Sequence, residues 1–154
     1  MPNLTPQLQL ARCPHCNVDT PSLVQQWRGE TRTQKASKYL EQAVASIHAP
    51  AGAVMLTASS VDAMLKAKGY TDGSLYTRID KAAADHLITT DMAQWAHAVR
   101  LDANDQRHAD ESADLPGEAD AKRCIDFASA LALLLFTLPA RVRKGLAPAS
   151  GGDS

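Results

Sequence analysis

Aromatic side chains are scarce in this sequence: two Phe, two Trp and three Tyr make up 5% of 154 residues. Strands draw on aromatic and β-branched residues, so a sheet would have little to build with. No long apolar run exists either. The longest is the seven-residue stretch 130–136, against the roughly 20 residues a bilayer-spanning helix needs. Residues 1–10 carry Pro2 and Pro6, no Lys or Arg, and no apolar block of signal-peptide length. Cysteine is limited to three, an odd number that fits a reducing compartment better than a disulfide framework. The chain therefore reads as cytoplasmic, with no membrane partner. Charge is also nearly balanced, at a net −1 with a pI near 6.5. That excludes a globally basic nucleic-acid binder and leaves only a local patch open. No glycine-rich phosphate loop, serine nucleophile elbow or His-Glu-x-x-His pattern is present.

Alanine is plentiful, with 27 copies, and alanine loses least on entering a helix. With 45% apolar and 21% charged residues, the composition is that of one globular domain. A chain of this length buries roughly 70% of its extended surface and holds a core without staples. Prolines at 2, 6, 14 and 21 mark residues 1–33 as an irregular arm. Residues 34–146 form the helical domain, and 147–154 a frayed tail.

Helical periodicity sets the elements within that domain. Tyr39, Leu40, Ala43, Val44 and Ile47 share one stripe before Pro50 interrupts. A second helix is predicted over 51–68, capped by Gly69. A third runs over 75–86 behind Ser74, burying Leu75, Ile79 and Ala82. A fourth runs over 91–103 behind Thr90, packing Met92, Trp95 and Val99. After an acidic break comes the most apolar helix, from Glu118 through Cys124, Phe127, Leu131 and Leu134 to Leu138, where Pro139 should kink or end it. The fold class is all-α: a single bundle of about five helices behind a short Cys-x-x-Cys arm.

Cys13-Pro-His-Cys16 has the spacing that lets two sulfurs face one tetrahedral ion. Dithiol redox centres share that spacing, but they need a strand upstream and a helix downstream. Only twelve residues precede Cys13, and Pro21 soon follows Cys16. Cys13 and Cys16 make half a zinc site, and His15 between them is awkwardly placed as a third ligand. Cys124, on an apolar helix face, reads as a buried structural thiol. Structural zinc and a metal-free knuckle both stay open.

If the fourth helix continues past Ala103, Arg100, Asn104 and His108 follow each other at steps of four and share a face. A guanidinium to hold phosphate, an amide to orient it and an imidazole to move a proton would suit phosphodiester chemistry. The bland alternative has them tying the helix end to the acidic segment. Asp102, Asp105, Asp110, Glu111, Asp114, Glu118 and Asp120 face only Arg107 before Lys122, a surround that repels a polyanion. Trp27 with Arg28, Arg32, Lys35 and Lys38 reads as a solvated helix start rather than a nucleic-acid patch.

Spaced motifs across residues 13–144 resemble the bacterial domain-of-unknown-function family 4145. They are Ser74-Leu-Tyr-Thr-Arg-Ile-Asp80, Trp95-Ala-His-Ala-Val-Arg100, Asn104-Asp105 with His108, and Phe136-Thr-Leu-Pro-Ala-Arg141. The leading Cys-Pro-His-Cys and Lys68-Gly-Tyr70 fit the same pattern. The resemblance implies a helical domain like those of the higher eukaryote and prokaryote nucleotide-binding (HEPN) group. Members of that group often dimerise, and many are metal-independent ribonucleases or inactive adaptors in defence systems. Family 4145 itself is found beside restriction machinery. This sequence departs from the family where Ser59-Ser-Val-Asp62 replaces Arg-Ala-Leu-Glu and where Ala103 replaces a glycine. Seven residues separate Arg100 from His108, and Leu101 follows the arginine, unlike the shorter ribonuclease spacing. The leading expectation is an accessory interaction module, self-associating or bound to a partner protein. The alternative is a metal-independent endoribonuclease using Arg100 and His108, with Asn104 orienting.

Overall fold

A computed structural model describes residues 33–109 and 111–148. Six α-helices occupy them: α1 (Gln34–Ala45), α2 (Pro50–Ala67), α3 (Leu75–Ala84), α4 (Thr90–His108), α5 (Glu118–Ala132) and α6 (Leu138–Leu146). A five-residue π turn, Leu133–Thr137, joins α5 to α6, so the last three segments form one rod of 29 residues. The bundle is all-α with five helical rods, and no strand occurs among the described residues.

Local chemistry explains most boundaries. Pro50 opens α2 and holds Ala49 at φ −120° and ψ 73°, outside helical geometry. α1 therefore stops at Ala45, two residues before the apolar stripe ends at Ile47. Gly69 ends α2 at φ +99°. The Tyr70 N–H reaches the Leu65 carbonyl at 3.1 Å and the Gly69 N–H the Lys66 carbonyl at 3.0 Å. That pair of bonds is a Schellman cap, which favours glycine because of the positive φ. Ser74 caps α3 by accepting from the Thr77 N–H at 3.2 Å. The cap of α4 is Thr89, not Thr90. Its hydroxyl accepts from the Met92 N–H at 3.1 Å, the third helical position, where a cap acts.

Two elements differ from the sequence pattern. α4 runs to His108, well past Ala103: Val99 and Ala103 hold its inner face in the core, and the residues beyond, none of them buried, extend the helix already nucleated there. Pro139 neither ends nor replaces the last helix. Lacking an N–H and crowding the carbonyl four residues back, it is accommodated by the wider π turn just before it.

α2 lies centrally, packed against α1, α4 and α5. Val54, Val61, Met64 and Leu65 are buried there with Leu40, Ile79, Val99, Phe127, Leu131 and Leu135. Small residues line the α1–α2 contact, where the Ser60 hydroxyl donates to the Ala36 carbonyl at 2.8 Å. Not every apolar residue points inward. Leu75, Met92 and Leu134 are half-buried, Trp95 keeps an exposed edge while packing on Phe127 at 5.1 Å, and Leu138 is exposed. The rod holds an 18-residue window of mean hydropathy 1.6, long and apolar enough to cross a bilayer, and 44% of that window is buried inside the bundle.

Candidate functional site

Because α4 is unbroken from Thr90 to His108, Arg100, Asn104 and His108 do fall along one of its faces. The rise from the first to the last is about 12 Å. Asn104 and His108 are exposed and Arg100 is half-buried. The structure turns the arginine away from the histidine: its guanidinium carbon lies over the Tyr76 ring of α3, 5.2 Å from the centroid. Arg100 and His108 thus stand on one helix face without meeting.

What the structure does bring together is a four-residue cluster where α3 crosses α4. The His97 Nε2 lies 2.8 Å from the Asp80 carboxylate, and the His97 ring stacks at a tilt on Tyr76, centroids 4.7 Å apart. Tyr76 therefore packs on both His97 and Arg100 while half its surface faces solvent, at 51% exposure. Two nitrogens in the cluster, His97 Nδ1 and Arg100 Nε, are buried without a hydrogen-bond partner. In the sequence His97 appears only inside the Trp95–Arg100 motif, with no role of its own. The spacing of four between Tyr76 and Asp80, and of three between His97 and Arg100, was legible in the sequence. That the two pairs face each other depends on how α3 packs on α4, which no spacing records.

Arg78 serves a different purpose. It is buried, its Nε donates to Asp62 Oδ1 at 2.8 Å and its Nη2 sits 2.6 Å from the same oxygen. Nη1 donates to the Gly73 carbonyl. Asp62 is also paired with Lys66 at 2.7 Å. Asp62 thus anchors α2 to the α2–α3 turn and to α3. Every strong donor and acceptor here is answered within the chain, as a buried ion pair requires.

Cys124 is buried and donates weakly to the Asp102 carboxylate, at 3.8 Å. Burial, reinforced by the Asp102 charge, pushes its thiol up to about 12, so it is an inert structural thiol rather than a nucleophile. Burial also raises Asp102 above the ordinary carboxylate value, opposed by Arg123 and reinforced by Asp120 and Asp105. An open groove of about 350 Å³ lies on α1 and α2, lined by Lys35, Tyr39, Ser59, Asp62, Ala63, Lys66 and Ala67. Its carboxylate is already engaged by Arg78 and Lys66. Among the described residues no group of three or more His, Cys, Asp or Glu could hold a metal ion. Cys13, Cys16, His15 and Trp27 lie outside the described residues.

The family described as Domain of unknown function (DUF4145) matches residues 41–147. The chain belongs to that family. The match takes in α2 to α6, and with them both the Tyr76–Asp80–His97–Arg100 cluster and the Asp62–Arg78 pair. No curated protein and no solved structure matches the chain.

Proposed function

We propose that this DUF4145 protein is a cytoplasmic helical interaction module that pairs with a second copy of itself. In this reading it serves as an accessory part of a bacterial defence or restriction system, the setting that the family resemblance suggests. The observation that carries the pairing is α6. None of its residues is buried, yet Leu138, Val142 and Leu146 recur every four positions with exposures of 40%, 57% and 80%. A helix with an uncovered apolar stripe is a surface for another protein.

Charge favours a second copy as the occupant. α6 carries Arg141, Arg143 and Lys144, whereas the stretch from α4 to α5 exposes Asp105, Glu111, Asp114 and Glu118 around Leu115, itself 82% exposed. Each copy thus offers an apolar-basic helix and an apolar-acidic turn, the complementarity a self-matching interface uses. Native mass measurement at high micromolar concentration tests this. A dimer is expected for the parent chain, and a monomer for Val142→Glu with Leu146→Glu, substitutions on exposed positions that leave the core intact. A strictly monomeric parent overturns the pairing. Co-sedimentation of the parent with anionic vesicles would mark α6 as a lipid-facing helix instead.

A second reading, a metal-independent endoribonuclease, draws on the unbroken α4 that keeps Arg100, Asn104 and His108 on one face. It needs His108 from one copy to meet Arg100 from another, since within a chain the guanidinium lies on Tyr76. RNA cleavage to a cyclic phosphate end, lost in His108→Ala, would support it.

A further inference from the structure

We infer that the crossing of α3 and α4 is a recognition site for a single carboxylate, held by Arg100 and His97 beneath the Tyr76 ring. A half-buried guanidinium normally has its N–H groups answered by carboxylates or carbonyls, because burying a charged donor without an acceptor is costly. Arg78 in the same molecule meets that rule in full. Arg100 does not: its Nε is buried and unpartnered, and among the described residues no carboxylate lies within ion-pair distance of it. One turn earlier on α4, His97 has a second unpartnered buried nitrogen, Nδ1, while Asp80 fixes the other side of its ring. When the His97 ring carries both protons, two donors lacking an acceptor therefore flank one exposed aromatic ring.

The number of charges selects the ligand class. Asp80 already answers the charge that His97 carries when protonated, leaving one guanidinium charge open. One unanswered positive charge with a planar fork fits a monoanionic carboxylate. A dianion would face the Asp80 carboxylate with too little compensation, and the acidic turn after α4 disfavours longer polyanions. Tyr76, with half its surface in solvent, supplies an apolar and π-bearing face for whatever the carboxylate is attached to. An aromatic or branched carboxylate should thus bind better than acetate.

Titration of the full-length protein followed by NMR of the His97 and Tyr76 rings and the Arg100 Nε–H tests the site. The probes are benzoate, acetate, inorganic phosphate and chloride. Saturable shifts are expected at all three residues, tightest for benzoate, weaker for acetate, and absent with chloride. Arg100→Gln should weaken benzoate binding by roughly tenfold or more, the scale of a lost charge-assisted hydrogen bond. Should that variant unfold, Arg100→Lys keeps the charge, loses the planar fork, and should also weaken binding. Shifts that never saturate, that follow chloride equally, or that persist in either variant overturn the site. Phosphate binding more tightly than benzoate overturns the charge argument. The oligomer mass of the Arg100 variants, unchanged from the parent, keeps this result separate from the pairing through α6.

Discussion

At the scale of single residues, the clearest physical consequence lies in the Asp102–Cys124 contact. Asp102 sits on α4 and Cys124 on α5, so the contact bridges two elements of the core. Burial raises the Asp102 carboxyl above its ordinary value. A raised acid binds its proton more tightly in the folded chain than in the unfolded one. Its contribution to stability is therefore complete below the unfolded value and is lost as pH rises through the higher folded value. Asp102→Asn keeps an acceptor for the Cys124 thiol and removes that titration. The variant should be at least as stable as the parent near neutrality, and its advantage should vanish in acid. Urea midpoints across the acid-to-neutral range measure this, and a variant that is weaker at neutral pH refutes it. Its place on an apolar helix face marks Cys124 as a buried thiol, but its partner twenty-two positions away was not legible. Neither was the Tyr76–His97 contact, since sequence spacing reports neighbours along a helix and not across a crossing.

At the scale of elements, the readable features were those with a local cause. Ser74 and Gly69 act where the sequence placed them, because a cap or a positive φ depends on a few adjacent atoms. The tertiary-driven features were legible only in part. α4 outlasts its unfavourable Asp and Asn residues because the turns packed as far as Ala103 nucleate it, and the rod passes Pro139 because a π turn absorbs the ring. The join between α2 and α3 shows the same division. Asp62 stood out only as a departure from a family pattern, whereas in the fold it receives Arg78 across sixteen positions. Removing one partner of this pair strands the other: Arg78 is buried, with its remaining bonds directed at the Gly73 and Asp72 carbonyls. Asp62→Ala should therefore cost about 2–3 kcal/mol in denaturant unfolding. The double replacement Asp62→Leu with Arg78→Met should cost less than the two single changes summed. Strict additivity would show that the pair is not coupled.

At the scale of the whole molecule, apolar and charged surfaces are segregated. The core is closed by α2 at its centre, while α6 extends an apolar stripe and three cations and the α4–α5 turn extends Leu115 among carboxylates. If two copies meet through these surfaces, charge and apolar burial govern different steps. Exposed charges attract partners over a distance of about 8 Å at physiological salt and only about 3 Å at 1 M. They therefore set the rate of encounter more than the lifetime of the complex. The apolar stripe acts after contact, when water leaves it, and so sets the dissociation rate. Raising salt from low to molar concentration should slow association of the parent chain by roughly tenfold or more while dissociation changes little. Val142→Glu should do the reverse, mainly hastening dissociation. Subunit exchange between two labelled populations resolves both rates. An association rate indifferent to salt would remove the acidic turn from the interface, and a dissociation rate indifferent to Val142 would remove α6.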